Sequence, residues 1–224
     1  MSSITVRDTV LDIFQKSSTF NTEFAKALTG KASSAGTTIS GNVDTLFTSE
    51  LKVDDYVGNI AKGYRRITTI EDNHEIEVDK AFDSVLDVET IYKIDVKKGI
   101  AKVEHISEVG RILGIAFISS SDLSLEASRR QGLAGTGQRV NTIYGLLITI
   151  SFLEPNYILA DERKTGYDKM IRDLIDNNLT LNDTCIGITE MGQLNFFEQV
   201  DMQGAYFGTM PLICYESQVV RGNR

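Results

Sequence analysis

Hydrophobic residues recur at helical spacing in two parts of the chain. The N-terminal positions are Val6, Val10, Ile13, Phe14, Phe20, Phe24 and Leu28, interrupted by polar residues at 17–22. Their spacing predicts helices that end at Gly30, a residue type that commonly follows a helix. The later positions are Tyr167, Met170, Ile171, Leu174 and Ile175. They predict a helix over 161–178.

Between residues 31 and 98 the pattern changes to short β-branched and aromatic stretches separated by turn-forming residues. The predicted strands are 37–40, 55–61, 65–70, 75–79 and 90–96. The stretches 65–70 and 75–79 are typical of a hairpin, with Ile67 and Thr69 opposite Ile76 and Val78. Strands this short, spaced about ten residues apart, predict a small barrel or sandwich.

The C-terminal part carries the longest strand patterns. Strands are predicted at 109–119, 139–153, 185–189, 195–200 and 205–220, with Pro211 favouring an edge or bulge in the last. One face of 139–153 consists of Tyr144, Leu146, Ile148, Ile150 and Phe152. Residues 120–138 lack periodicity and are long for a loop in a compact domain, which predicts a functional or mobile segment.

This order of elements predicts an α+β fold. We expect an antiparallel sheet packed by two helices, with a small all-β barrel or sandwich module inserted into it. The corresponding division is 1–30 for the N-terminal helical part, 31–98 for the inserted module and 99–224 for the main α+β domain.

Composition narrows the classes of function. The 224 residues are 42% hydrophobic, which is enough for a core, and carry a net charge of −8 at pH 7. Affinity for nucleic acid comes mainly from basic side chains that neutralise phosphates, so an acidic chain is a poor candidate for binding DNA. We expect no membrane span, because no stretch of about 20 apolar residues occurs. We also expect no secretory signal at the N-terminus.

Established catalytic motifs are missing from the sequence. It contains no nucleophile elbow, P-loop, HExxH or CxxC pattern. GLAGTG at 132–137 lacks the lysine of a phosphate loop and precedes a predicted strand, and the acidic run at 176–183 lacks the calcium-loop pattern. The isolated metal-ligand types are His74 in a turn, His105 on a predicted strand, and Cys185 and Cys214 as core residues. We therefore expect no enzyme activity, no metal site and no cofactor.

Two pairs of adjacent arginines form local positive clusters. They are Arg65-Arg66 and Arg129-Arg130. Either they are solvated surface, or they pair with carboxylates of another subunit, since arginine is favoured in interfaces. Complementary charge of this kind fixes the register between copies in a self-assembling ring. The candidate subunit-interface residues are Arg65, Arg66, Leu125, Arg129, Arg130 and Leu133, and 120–138 is the candidate assembly arm.

A family resemblance covers residues 35–94. The matching pieces are Gly36-Thr37-Thr38-Ile39, Thr45 with Phe47 to Leu51, Val53-Asp54-Asp55-Tyr56 and Val78-Asp79-Lys80-Ala81-Phe82. This pattern resembles a small β module that recurs in tail, collar and baseplate proteins of tailed phages. Asp54 departs from it, because the family usually has glycine there. The resemblance implies a virion protein without assigning its place in the virion.

The C-terminal half carries a second, pattern-level resemblance. Its pieces are RVNTIYGLLITISF, MIRDLIDNNLTL and GAYFGTMPLICYE. They resemble tail-terminator and tail-completion (neck) proteins, with the β module as an insertion. The family implies a homohexameric ring in the virion, assembled in the host cytoplasm and contacting other neck, tail or portal-adaptor proteins. It also implies that genomic DNA passes through without specific binding, for which an acidic lumen is suited.

Two alternatives stay open at this point. One is a baseplate, collar or fibre-attachment protein, in which the β module contacts a host or virion partner. The other is a small-ligand or sugar-binding or hydrolytic protein using dispersed carboxylates such as Glu104, Glu108 and Asp122. Nothing in the sequence places any two of these carboxylates at a working distance.

Overall fold

The protein was analysed as a computed structural model. It describes residues 3–106, 110–118, 131–133, 137–179, 181, 187–200 and 202–220. Over these residues the chain is mixed α+β and mostly sheet, which confirms the predicted class at that level. The described part contains four α-helices and two seven-stranded sheets.

The helices follow the predicted stripes but differ at their ends. They are α1 (Ser3–Lys16), α2 (Ser18–Phe24), α3 (Phe47–Glu50) and α4 (Tyr157–Asp176), with a 3-10 turn at Val103–His105. The stripe predicted to continue to Leu28 ends at Phe24, where the chain becomes a strand. Helix α4 begins before residue 161 because the Asn156 side chain accepts hydrogen bonds from Ile158 N at 3.0 Å and Leu159 N at 3.4 Å.

The first sheet contains the short strands of the middle block. They are β1 (Ala25–Ala27), β2 (Ala32–Ala35), β3 (Thr38–Gly41), β4 (Tyr56–Asn59), β5 (Gly63–Ile70), β6 (Glu75–Val78) and β7 (Tyr92–Ile94). Their order is β1-β7-β4-β5-β6-β3-β2, and every described pairing among them is antiparallel. The predicted barrel is not closed within these strands, because the edge strands β1 and β2 are not paired with each other. An isolated bridge joins Ala32 of β2 to Glu89.

The predicted hairpin is present as β5 and β6, with a different register. Ile67 lies opposite Val78, but Thr69 lies opposite Glu77 and Ile70 opposite Ile76. The cause is an irregularity between Ile67 and Thr69, which shifts the partners by one residue. This sheet encloses its own core, formed by Leu28, Ala32, Ile39, Phe47, Leu51, Val57, Ile67, Ile76, Val78, Phe82, Leu86 and Ile91.

The second sheet is built from the later strands. They are β8 (Val96–Lys98), β9 (Arg111–Phe117), β10 (Gln131–Leu133), β11 (Gly137–Leu153), β12 (Gly187–Met191), β13 (Asn195–Glu198) and β14 (Ala205–Val220). The main order is β12-β14-β11-β9-β8, with β10 beside β11 and β13 beside β14. Only β8 and β9 pair in parallel among these described strands. The strand predicted at 90–96 is thus divided, with β7 in one sheet and β8 beginning the other.

Pro211 lies in the middle of β14, which has neighbours on both sides. On one side, β14 pairs with β11. On the other side, it pairs with β13 up to Thr209 and with β12 from Leu212 onwards. Pro211 therefore stands at the break between two short strands, where its missing N–H is not needed for a ladder. Its carbonyl accepts a hydrogen bond from Gly192 N at 2.9 Å.

Helices α1, α2 and α4 pack on one face of the second sheet. The predicted inner face of β11 is confirmed, since Tyr144, Leu146, Ile148, Ile150 and Phe152 are all buried. They share one core cluster with the apolar positions of the three helices. Tyr56, Tyr64 and Ile94 of the first sheet belong to the same cluster. The two sheets are therefore joined through packed side chains as well as through the chain.

Residues 99–106, the covering segment, lie over the other face of the second sheet. Ala101 is fully buried there, and its N–H donates to Thr149 Oγ1 at 2.9 Å. The same hydroxyl donates to the Gly114 carbonyl at 3.2 Å, and Ser151 Oγ donates to the Ala101 carbonyl at 3.0 Å. Gly114 permits this approach, because a Cβ there would lie 2.4 Å from Ala101 N.

Candidate assembly surface

The longest ladder in the protein extends past the body of the second sheet. β11 and β14 pair continuously from Gln138–Val220 to Leu153–Ala205. β9 reaches only Leu146 of β11, and β12 reaches only Tyr215 of β14. Beyond these points, residues 138–142 pair with 216–220, and we call this part the ribbon.

The ribbon has few neighbours within the described part of the chain. β10 pairs with residues 137–139 of β11 at the far end, and no other described strand pairs with the ribbon. On the β9 side, Ile118 N donates to the Gly145 carbonyl at 3.0 Å, and on the β12 side the described pairing reaches Gly187–Tyr215. At about 3.4 Å per residue, the distance from Gly145 to Gly137 is about 27 Å.

Part of the predicted assembly arm lies beside the end of the ribbon. Leu133 is the last residue of β10, and its backbone is paired with Gly137. Leu125, Arg129 and Arg130 lie outside the described residues. Their role at a subunit interface, and that of Leu133, stay predictions.

Arg65 lies inside the first sheet and is not a surface charge in this chain. Its side chain is 6% exposed, with Nη2 3.2 Å from Asp83 Oδ1. Its Nε donates to the Ala81 carbonyl at 2.9 Å and its Nη1 to the Tyr64 carbonyl at 3.0 Å. The guanidinium also lies 5.0 Å from the centre of the Phe82 ring. An inter-subunit role for Arg65 would have to displace these contacts.

Arg66, the next residue, has its side chain 40% exposed. Its Nη1 donates to Asp54 Oδ1 at 2.7 Å, and this hydrogen bond raises the pKa of Arg66 above its ordinary value. Asp54 has a φ of 76°, in the left-handed region that glycine adopts most readily. The position where the phage β module usually has glycine therefore has the backbone conformation of glycine here.

The opposite end of the second sheet exposes apolar side chains. Leu153 ends β11, and Tyr157, Ile158 and Leu159 begin α4; all four are exposed, Tyr157 by 72%. The turn after β13 adds Val200 and Met202. The two segments lie together, because Glu154 N donates to the Gly204 carbonyl at 2.7 Å. We call these six residues, Leu153, Tyr157, Ile158, Leu159, Val200 and Met202, the apolar end.

A groove of about 370 Å³ runs between α2 and α4 and continues the apolar end through Leu159. It is lined by Thr19, Glu23, Leu159, Glu162, Arg163, Gly166, Tyr167 and Met170. Its charged residues are partly paired: Glu23 with Arg111 at 3.0 Å, and Arg163 with Glu154 at 3.1 Å. Gly166 is exposed in the middle of α4, and apart from its chain neighbours and the backbone of its own helix no described atom lies within 4 Å of where its Cβ would stand.

A second cleft, of about 320 Å³, lies where α2 meets the first sheet. Several of its polar groups, including those of Tyr64 and Asn21, already have partners. The Tyr64 hydroxyl donates to Asn21, whose amide donates to the carbonyls of Gln15 at 2.7 Å and Ser17 at 2.8 Å. Burial raises the pKa of Tyr64 above its ordinary value. The cleft therefore offers a ligand little free hydrogen-bonding capacity.

The isolated residues considered for chemistry are dispersed. Glu104 is exposed and pairs with Lys102 at 3.2 Å, while Glu108 and Asp122 lie outside the described residues. His105 lies in the 3-10 turn rather than on the predicted strand, because its Nδ1 accepts from Lys102 N at 3.1 Å and caps that turn. Burial, with Lys97 nearby, lowers the pKa of His105.

His74 lies in the predicted turn, with Nδ1 2.9 Å from Thr45 Oγ1. Cys214 is buried in the core of the second sheet, as expected, and Cys185 is outside the described part. Within that part, no three His, Cys, Asp or Glu side chains are grouped so as to hold a metal ion. The helices described here include none with the length and apolarity to cross a membrane.

Sequence and structure were compared with known proteins. No family model matches the chain, and no curated protein and no solved structure shows significant similarity to it.

Proposed function

We propose that this chain is a structural protein of a tailed-phage virion that assembles into a closed ring and joins tail to head. Its place is the neck or the tail end, as a tail-terminator or tail-completion component. The ring is a homohexamer that contacts other neck, tail or portal-adaptor proteins. No catalysis and no cofactor are part of this role.

The observation that carries the proposal is the ribbon. A two-stranded ribbon is marginally stable alone in water, and its open edges attract further strands. The ribbon described above has a described strand beside it only at residues 137–139. An element of this kind is stabilised by contact with another chain, which supports an assembling protein over a monomeric enzyme.

The positions of the ribbon and the apolar end support a ring in particular. The two features lie at opposite ends of β11, so one copy offers different surfaces to the copies on either side. Contacts between unlike surfaces generate a closed ring when the rotation between copies closes, and an open filament when it does not. A twofold dimer would instead use one surface twice.

The resemblance of residues 35–94 to the phage β module supports a virion location. Its one departure, Asp54, is accommodated by a glycine-like φ of 76°. The finer fold that we propose is accordingly a terminator-like α+β domain with a barrel-like or sandwich-like module inserted. The net charge of −8 suits a ring through which DNA slides without being bound.

The first experiment measures the absolute mass of the purified protein by light scattering after size exclusion, with negative-stain images of the same peak. We expect a mass about six times the 24.8 kDa of one chain. The images should show closed rings with an open centre. A chain that stays monomeric at concentrations up to about 100 µM, where weak association is detectable, would contradict the ring.

A second virion position is favoured by the apolar side chains exposed on the first sheet and its loops. Val43 is 89% exposed and Val88 is 63% exposed, with Val53 and Val85 above half. Such residues suit a module that docks on another protein, as in a baseplate, collar or fibre-attachment component. Threefold particles in the same images, rather than sixfold ones, would indicate that position.

A further inference from the structure

Gly166 is the tenth residue of α4, in the interior of the helix, where glycine is among the least favourable residues. Apart from its chain neighbours and the backbone of its own helix, no described atom lies within 4 Å of where a Cβ would stand. The packing of the single chain therefore does not require glycine here. What glycine does provide is a low point on the helix surface, where the backbone of another helix can approach closely.

The side of α4 that carries Gly166 faces solvent. Leu159, Glu162, Gly166, Lys169 and Asp173 follow one another at spacings of three and four residues, and all five are exposed. Residues at this spacing lie on one stripe of a helix, and we call these five the outer stripe. The residues by which α4 packs into the core are different ones, namely Ala160, Tyr167, Met170, Ile171 and Ile175. The outer stripe is thus a second face of the helix.

The outer stripe carries two opposite charges without partners in the described part of the chain. The other basic residues of α4 are all paired there, Arg163 with Glu154, Lys164 with Asp161 and Arg172 with Asp168. Glu162 lies four residues before Gly166 and Lys169 three residues after it. The rise over seven residues is about 10 Å, so these two side chains do not pair with each other within one helix.

Two copies of the outer stripe match each other when they run antiparallel. With Gly166 of one copy against Gly166 of the other, Glu162 of each copy lies opposite Lys169 of the other. This is a twofold arrangement, in which the same two residues meet twice. A parallel arrangement centred on Gly166 would instead bring like charges together. Helices that cross at an angle separate towards their ends, so Leu159 and Asp173 lie at the rim of such a contact.

We propose that α4 packs against α4 of a second copy of this chain, around a twofold axis at Gly166, with two reciprocal Glu162–Lys169 ion pairs. The occupant of the outer stripe is therefore another copy, selected by the order of the charges and by the close approach that glycine allows. This contact goes beyond the proposed ring and is independent of it. By itself it gives a dimer, and between hexameric rings it joins two of them into a double ring.

The first test exchanges the two charges one at a time. Glu162→Lys turns both ion pairs into contacts between two lysines, and Lys169→Glu turns both into contacts between two glutamates. Sedimentation velocity over a range of concentrations measures the pairing, and circular dichroism checks the fold. We expect each variant alone to pair at least about tenfold more weakly than the unchanged chain, because two attractions become two repulsions. Mixed in equal amounts, the two variants should pair as the unchanged chain does, since every contact between them again joins opposite charges.

The second test separates the contact from the stability of the chain. Gly166→Gln places a good helix former at an exposed position, so its Tm should rise. The same side chain would stand between the two helices at their closest approach, so pairing should weaken at least about tenfold. Thr165→Gln is the matched control, because it adds the same side chain at the next exposed position, outside the outer stripe. It should pair like the unchanged chain.

The outcomes judge this contact separately from the ring. Restored pairing in the mixture of charge variants supports the twofold contact. Charge variants that pair as tightly as the unchanged chain, or a mixture as weak as its components, overturn it. Gly166→Gln with undiminished pairing also overturns it, as does an unchanged chain that shows only monomers or single rings at about 100 µM. Single rings leave the proposed ring intact, whereas dimers that never form rings retain the α4 contact and contradict the ring.

Discussion

Replacing Thr149 by valine tests what holds the covering segment on the second sheet. The two side chains have nearly the same shape, so the substitution leaves no cavity. It removes the hydroxyl that accepts from Ala101 N at 2.9 Å and donates to the Gly114 carbonyl at 3.2 Å. Both Thr149 and Ala101 are fully buried, so water does not replace the lost bonds without opening the segment.

The expected magnitude comes from two opposing contributions. A buried N–H left without a partner costs about 1–3 kcal/mol. The added methyl surface returns about 0.8 kcal/mol. The free energy of unfolding should therefore fall by about 0.2–2.2 kcal/mol, and Tm by up to about 9 °C for a chain of this size.

The assay combines thermal unfolding with amide hydrogen exchange, and Thr149→Ser is the matched control. Serine keeps the hydroxyl and loses a methyl group, so it also lowers stability by about 1 kcal/mol. Only valine should speed exchange at the Ala101 amide. A Thr149→Val protein as stable as the unchanged one, with Ala101 still protected, would refute the assigned role of the hydroxyl.

Three further predictions concern other described contacts. Gly114→Ala should destabilise the protein by about 1–3 kcal/mol in denaturant unfolding, because the new methyl group would lie 2.4 Å from Ala101 N of the covering segment; a neutral effect would contradict that packing. NMR titration should find the pKa of His105 below its ordinary value, since burial and Lys97 both disfavour the charged ring, and Lys97→Met should raise that pKa. Stability from the neutral ring is present above the unfolded pKa and is lost as pH falls through the folded pKa. The hydrogen bond from Lys62 lowers the pKa of Glu89, so stability from its carboxylate is present above the unfolded pKa and is lost as pH falls through the folded pKa. In unfolding measured against pH, Glu89→Gln should reduce this loss of stability at acid pH. An unchanged dependence of stability on pH would count against the Lys62–Glu89 pair.

Hydrophobic patterns in the sequence predicted those helices and strands in which the pattern repeats over many residues. The alternation along 139–153 identified the buried face of β11, because every second residue from Tyr144 to Phe152 faces the helices. Strands of three residues carry too little pattern, so the boundary between β7 and β8 was not predicted. The start of α4 was predicted too late, because Asn156 caps the helix five residues before the acidic pair at 161–162.

The candidate surface was not predicted from the sequence, because it is formed by strand pairing between distant segments and hydrophobic periodicity does not indicate which strands pair. The strand pattern of 205–220 predicted a strand without indicating that its last residues pair with 138–142 beyond the body. Arg65 and Arg66 are adjacent in sequence, yet Arg65 is buried in β5 and Arg66 is half-buried. Gly166 is visible in the sequence as a glycine within a helical stripe, but only the empty space above it distinguishes it from a packing glycine.

The chain enters and leaves the first sheet through neighbouring backbone. Ala25 pairs with Ile94, and Asp95 N donates to the Phe24 carbonyl at 2.9 Å. The segment between Ala25 and Ile94 therefore begins and ends at nearly the same place, with the Cα atoms of these two residues about 5 Å apart. A unit attached in this way behaves as an exchangeable cassette: natural or engineered replacement of its outer loops leaves the path of the α+β domain unchanged. The same geometry predicts where a shorter relative would be joined, with Phe24 leading directly into Asp95.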